Sequence, residues 1–119
     1  EGSVFRVLVC GGRNYADRDR LFSELDRLLA NKLPDVVVIH GDAPGADTLA
    51  KEYALARGLE HLPFPADWRA HGRAAGPMRN SRMLAEGRPD ACVAFPGGSG
   101  TADMAGKAEA AGLPVRRVT

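Results

Sequence analysis

Hydrophobic positions along the chain fall into two alternating patterns, short unbroken β-rich runs and longer sets at helical spacing. Phe5–Cys10 is a β-rich run closed by Gly11-Gly12 and reads as a first strand. In Arg18–Leu29, Leu21, Phe22, Leu25, Leu28 and Leu29 recur on one helical face, with Asp17 placed to cap its start. Asp35–His40 is a continuous β-branched run, the pattern of a strand buried on both faces. Ala46–Arg57 reads as a second helix stopped by Gly58, and Leu59–Phe64 as a weaker third strand. Residues 65–76 have no periodicity and are expected to form an irregular loop. A helix from Pro77 to Glu86, a strand over Asp90–Phe95, a small-residue helix over Thr101–Ala111 and a last strand over Pro114–Val118 complete the order. Apolar strands alternating with amphipathic helices predict an α/β fold. It is a doubly wound, mostly parallel sheet of about five strands with helices on both faces.

In such a sheet the loops leaving the carboxyl ends of the strands line one edge, where ligands bind. Four loops share that edge here: "CGGRNY" (10–15), "HGDAPGAD" (40–47), "PADWRAHGRAAGPMRN" (65–80) and "PGGSGT" (96–101). All are polar or glycine-rich, whereas the opposite edge carries ordinary stops such as "NKLP" and "EGRP". This asymmetry predicts one ligand site.

Within "PGGSGT", Gly97, Gly98 and Gly100 let backbone approach a ligand closely, while the following helix presents unpaired N–H groups and the positive end of its dipole. That combination binds phosphate, and Ser99 and Thr101 add hydroxyl donors. Gly11 and Gly12 repeat the idea, with Arg13 and Asn14 able to meet a phosphate, a ribose or a base edge. The loop is not GxGxxG and no acidic residue ends the second strand, so a standard NAD site is not expected. After Gly41, Asp42 is read as a ligand to ribose hydroxyls, and Asp47 either as a second one or as a helix cap. In the long loop, Arg69, His71, Arg73, Arg79 and Arg82 form a basic cluster beside Trp68, which is read as a stacking surface for a base or as a core or interface residue. His71 is read as a solvent-exposed imidazole in preference to an acid–base group.

Composition narrows the classes. Sixteen basic and fifteen acidic residues leave a formal charge of +1, which argues against a phosphate-coating nucleic-acid binder or a membrane-surface protein. Fourteen glycines, about 12% of the chain against a usual 7% or so, cluster in a few turns. Cys10 and Cys92 belong to no CxxC or Cys/His spacing and read as reduced core residues of a cytoplasmic protein. His40, His71 and the nearby carboxylates match no metal-ligand spacing, so neither a metal nor another cofactor is expected. The longest apolar run is too short to span a bilayer, and no signal-peptide pattern opens the chain. Residues 1–3 are read as an appended remnant or the cut end of a longer protein, and residues 4–119 as one domain.

"CGGRNY", "HGDAPGAD", "GPMRNSRM" and "DACVAFPGGSGTADM", in this order, resemble the YspA/cpYpsA-related branch of the SLOG superfamily, from Arg6 to Val118. That superfamily joins DprA/Smf to the LOG "lysine decarboxylase-like" proteins. The resemblance implies a Rossmann-like, commonly homodimeric domain that binds a nucleotide or nucleotide derivative at the glycine-rich edge, and an ADP-ribose- or NAD-related ligand is the one expected here. For LOG enzymes it further implies cleavage of the base from a nucleoside 5′-monophosphate, through an Arg-Lys pair and the motif PGGxGTxxE. Arg79 matches that arginine, but Asn80 stands at the lysine and Met104 at the glutamate. Asp103, one residue earlier and about 100° around the helix, is the remaining carboxylate. It either reaches the sugar or is a first-turn acid favoured by the helix dipole. Ligand binding or sensing is therefore the leading expectation. N-glycosidic hydrolysis using Asp103 and Arg79 is the alternative. Single-stranded DNA binding, by analogy with DprA, comes last because it needs a wide basic groove with aromatic platforms.

Overall fold

The computed structural model describes residues 4–119; the reading of residues 1–3 lies outside the described residues. Five strands, β1 (Phe5–Cys10), β2 (Val36–His40), β3 (Glu60–Pro63), β4 (Ala91–Ala94) and β5 (Val115–Arg117), form one sheet in the order β3-β2-β1-β4-β5. Every neighbouring pair is parallel, so the sheet is parallel throughout. Five α-helices accompany it: α1 (Arg18–Leu28), α2 (Ala46–Ala56), α3 (Trp68–His71), α4 (Ala75–Ala85) and α5 (Ser99–Ala110).

Alternation along the buried strands divides the core in two. Val7 and Val9 of β1, with Val36 and Val38 of β2, pack against Leu21 and Leu25 of α1 and Tyr53 of α2. Leu8 and Cys10 point the other way with Ile39 and Cys92, onto Met83 of α4 and Met104, Ala105 and Ala108 of α5. Asp26 ties the first pair of helices, accepting from Tyr53 Oη at 2.8 Å and from Arg57 Nη2 at 2.7 Å. Cys10 and Cys92 are free and buried, their sulfurs 4.0 Å apart across β1 and β4. No helix of the described residues is long and apolar enough to cross a membrane.

The chain steps outward from β1 through β2 to β3, then returns to β4 on the other side of β1. The topological switch point, where open α/β sheets hold their ligands, thus falls between the exits of β1 and β4.

Two segments differ from the expectation. The loop predicted over 65–76 contains α3, capped by the Asp67 carboxylate on the Ala70 N–H at 3.1 Å, then a 3-10 turn over Gly72–Ala74 and the start of α4. Pro77 falls in the first turn of α4, where no N–H is needed, instead of opening the helix. These turns are too short to display a period in the sequence. Helix α5 begins at Ser99, two residues before the expected start, because Gly98 takes the capping position. Asp103 therefore lies in the second turn, which removes its reading as a first-turn acid.

Candidate functional site

The exits of β1, β2 and β4 are drawn together by backbone hydrogen bonds centred on Gly12. Its N–H donates to the Pro96 carbonyl at 2.9 Å, and its carbonyl accepts from the N–H groups of Tyr15 and Ala46, both at 3.1 Å. This closeness dictates several glycines. A Cβ on Gly11 would lie 2.5 Å from the Cβ of Ala46, one on Gly12 would lie 3.0 Å from the Pro96 oxygen, and one on Gly97 would collide with Thr101 Oγ1.

Gly98 and Gly100 are different: a Cβ on either would meet nothing within 4 Å. Both line a cavity of about 290 Å³ together with Ser99, Thr101, Arg13 and Asp47. The amides of Ser99, Gly100 and Thr101 donate to no acceptor among the described residues, whereas Ala102 N already closes the first helical bond onto the Gly98 carbonyl. A second chamber of about 450 Å³ adjoins the first through Arg13, Arg79, Asn80, Ser99 and Gly100, and adds Trp68, Arg73 and Asp103. Substituting alanine separates the two kinds of glycine. Gly97→Ala is expected to cost about 1–3 kcal/mol through overpacking, whereas Gly100→Ala is expected to leave stability unchanged or raise it by up to about 1 kcal/mol. Urea unfolding midpoints of the two variants check this.

Arg79, half-buried on α4, crosses to the β2 and β3 exits. Its Nη1 donates to the Gly41 carbonyl and, at 3.5 Å, to that of Phe64, while Nε donates to Asn80 Oδ1 at 2.9 Å. Nη2 makes no hydrogen bond among the described residues and is free for an anion. Burial lowers the Arg79 pKa, an effect opposed by the nearby Asp47 charge. A side chain on Gly41 would run into this guanidinium.

Asp47 is 7% exposed. It does not cap α2, whose capping residue is Gly45; its Oδ2 instead accepts from the Ala43 N–H at 3.2 Å. Burial pushes its pKa up to about 6 against the pull of that hydrogen bond and of the Arg79 charge. Asn80, buried, passes its amide to the Gly100 carbonyl at 3.3 Å and to Asp103 Oδ2 at 3.0 Å. The same Oδ2 accepts from Lys107 Nζ at 2.7 Å, while Oδ1 accepts nothing among the described residues. Burial alone would raise the Asp103 pKa, but the bonds from Lys107 and Asn80 outweigh it and hold the carboxylate ionised below the usual range. Met104 is 1% exposed and faces the core, so the side chain at the LOG glutamate position cannot reach the cavity.

Among the residues expected at the site, Gly11, Gly12, Arg13, Asp47, Arg79, Asn80, Gly98, Ser99, Gly100 and Thr101 line the first cavity, and Asp103 the second. Asn14 and Asp42 are exposed and line neither chamber; Gly41 and Gly97 serve the packing behind them. His71 is exposed and also lines neither. Lys107 escaped the sequence reading, although its position four residues after Asp103 on a helix was the available signal. His40, weighed in the sequence only as a metal ligand, is buried and pairs with another histidine. Its Nδ1 accepts the Asp42 N–H at 3.0 Å, so Nε2 carries the proton toward His61 Nδ1, also at 3.0 Å. Burial, with the neighbouring His61, lowers the His40 pKa to about 4. Among the described residues no three His, Cys, Asp or Glu side chains converge as metal ligands would.

A parallel sheet ordered 3-2-1-4-5, with helices on both faces and a glycine-rich cradle at its switch point, defines a Rossmann-like α/β protein. Residues 5–71 match the family described as "YspA, cpYpsA-related SLOG family", and the chain belongs to that family. It is 38% identical to the Gene 61 protein of Mycobacterium phage D29 over 92% of this chain and 93% of that protein. The X-ray structure of TM1055, a structural genomics target, superposes with a TM-score of 0.72 at 25% identity, covering 94% of this chain and 72% of that one. Together these support a nucleotide-related function in general.

Proposed function

We propose that the chain binds a nucleotide or nucleotide-derived ligand, of the ADP-ribose or NAD-related kind, with a phosphate on the first turn of α5. The observation that carries this reading is the set of three undonated amides, Ser99, Gly100 and Thr101, on residues that line one cavity with Arg79, whose Nη2 is unengaged. An anion there would satisfy the amides and lie on the positive end of the helix dipole. Gly98 and Gly100 leave room for it that no protein atom uses.

The test is a thermal-unfolding panel of nucleoside 5′-monophosphates, ADP-ribose and NAD, with chromatography of each mixture for free base. Stabilisation by about 2.7 kcal/mol at 100-fold excess over Kd, with no base released, is the expected result. Absence of any shift across the panel refutes the reading.

A second reading, hydrolysis of the N-glycosidic bond, is favoured by one observation: Asp103 lines the wider chamber with Oδ2 anchored and Oδ1 unengaged. An ionised, oriented carboxylate can stabilise positive charge developing on a ribosyl carbon or accept a proton from attacking water. Free base released by the native chain and lost in Asp103→Asn would establish it.

We also propose a homodimer. Ala102, Gly106 and Ala110 form an exposed small-residue stripe on α5 that permits close helix approach. Sedimentation equilibrium at micromolar concentration would read twice the chain mass.

A further inference from the structure

We propose that Trp68 is the base-recognition residue of this site, so that the ligand's aromatic heterocycle stacks on its indole while its phosphate occupies the α5 cradle. The inference rests on the phosphate-site reading above and extends it to the second chamber. Trp68 is a large aromatic residue left 47% exposed, on a one-turn helix, in the wall of a chamber whose other lining side chains, apart from Pro77, are polar or charged. No core accounts for its place. The ring is held beside α4 at Gly76, where a Cβ would come within 3.3 Å of its Cη2 atom, so the absence of a side chain at Gly76 makes room for the ring.

The chamber is continuous with the cradle through Ser99, Gly100 and Arg13, so one molecule can span both. Arg13 reaches from the β1 exit over the indole, its guanidinium carbon 5.3 Å from the ring centroid. That spacing is too small for a heterocycle to slip between the two, so the base takes the place of the guanidinium. Arg13 is exposed and long, and an exposed cation–π contact is weaker than a base–indole stack, so the exchange is favourable. The displaced cation stays in the wall shared by the two chambers, near the phosphate. Every base has a π face, so stacking selects for a heterocycle without fixing which one.

Trp68 is the single tryptophan of the chain, so its fluorescence reports the stack directly. AMP, UMP and ADP-ribose are compared with ribose 5-phosphate and inorganic phosphate, by calorimetry and by tryptophan emission. The expected result is quenching by the three base-bearing ligands, no quenching by ribose 5-phosphate, and about 10-fold weaker binding of the latter. Trp68→Ala lowers AMP affinity about 10-fold and leaves ribose 5-phosphate affinity unchanged; Trp68→Phe keeps most of the AMP affinity. Equal binding of AMP and ribose 5-phosphate without quenching overturns the stacking inference and leaves the phosphate site standing. Emission that varies with protein concentration but not with ligand marks Trp68 as a contact between copies and also overturns it. Binding of none of the five probes overturns the phosphate-site reading and this inference with it.

Discussion

Asp47→Asn is expected to stabilise the fold by about 3 kcal/mol at pH 7 and by under about 1 kcal/mol at pH 4. The carboxyl is buried in the wall of the cavity, and its pKa rises from 3.8 to about 6 on folding. A raised carboxyl pKa means that the folded chain holds the proton more tightly than the unfolded chain does. Native stability therefore falls as pH rises from 3.8 through about 6 and levels off above, where the folded state carries an ionised buried carboxylate. Asparagine removes that charge while keeping an oxygen for the Ala43 N–H. Urea unfolding of both proteins between pH 4 and 8 should give curves that diverge across this window and run parallel above it. Curves parallel throughout would mean that Arg79 and Arg13 already neutralise Asp47 in the fold. A buried charge of this cost, at a cavity wall, is what a ligand site retains and a purely structural position would lose.

The order of elements was legible because each depends on local pattern: the β-branched run before His40, the spacing of Leu21, Leu25 and Leu28, and the glycines that end them. The cradle was legible for the same reason, since glycine spacing and a helix start are both local. Its division of labour was not. Gly97 and Gly98 are neighbours of one type, yet the first is required by Thr101 and Gly12 and the second by no protein atom. Only three-dimensional packing separates them. Asp103 shows the same limit, because its orientation depends on Asn80, 23 residues away, and on Lys107. The sequence favoured Asp42 as the ligand residue and left Asp47 between ligand and helix cap, but the turn into α2 buries Asp47 in the cavity wall and leaves Asp42 outside. One-turn α3 had no period to betray it, and it is the element that carries Trp68 into the second chamber.

Arg79→Met is expected to abolish nucleotide binding, with an affinity loss of at least about 100-fold, and to cost about 2–3 kcal/mol of stability. The two losses have separate origins. Stability falls because the Gly41 carbonyl loses its partner and Asp47 loses the cation that eases its ionisation. Binding falls because Arg79 is the half-buried cation lining the same cavity as the free amides of α5, and because Asn80 loses the Nε bond that helps hold its side chain toward Gly100 and Asp103. The origins can be separated by adding Asp47→Asn. With the carboxylate neutral, the double variant should recover most of the stability near neutral pH, while its thermal transition stays insensitive to every nucleotide that stabilises the native chain. A double variant that regained ligand stabilisation along with its stability would make Arg79 a structural strut between α4 and the β2 exit, and would leave phosphate recognition to the helix N-terminus alone.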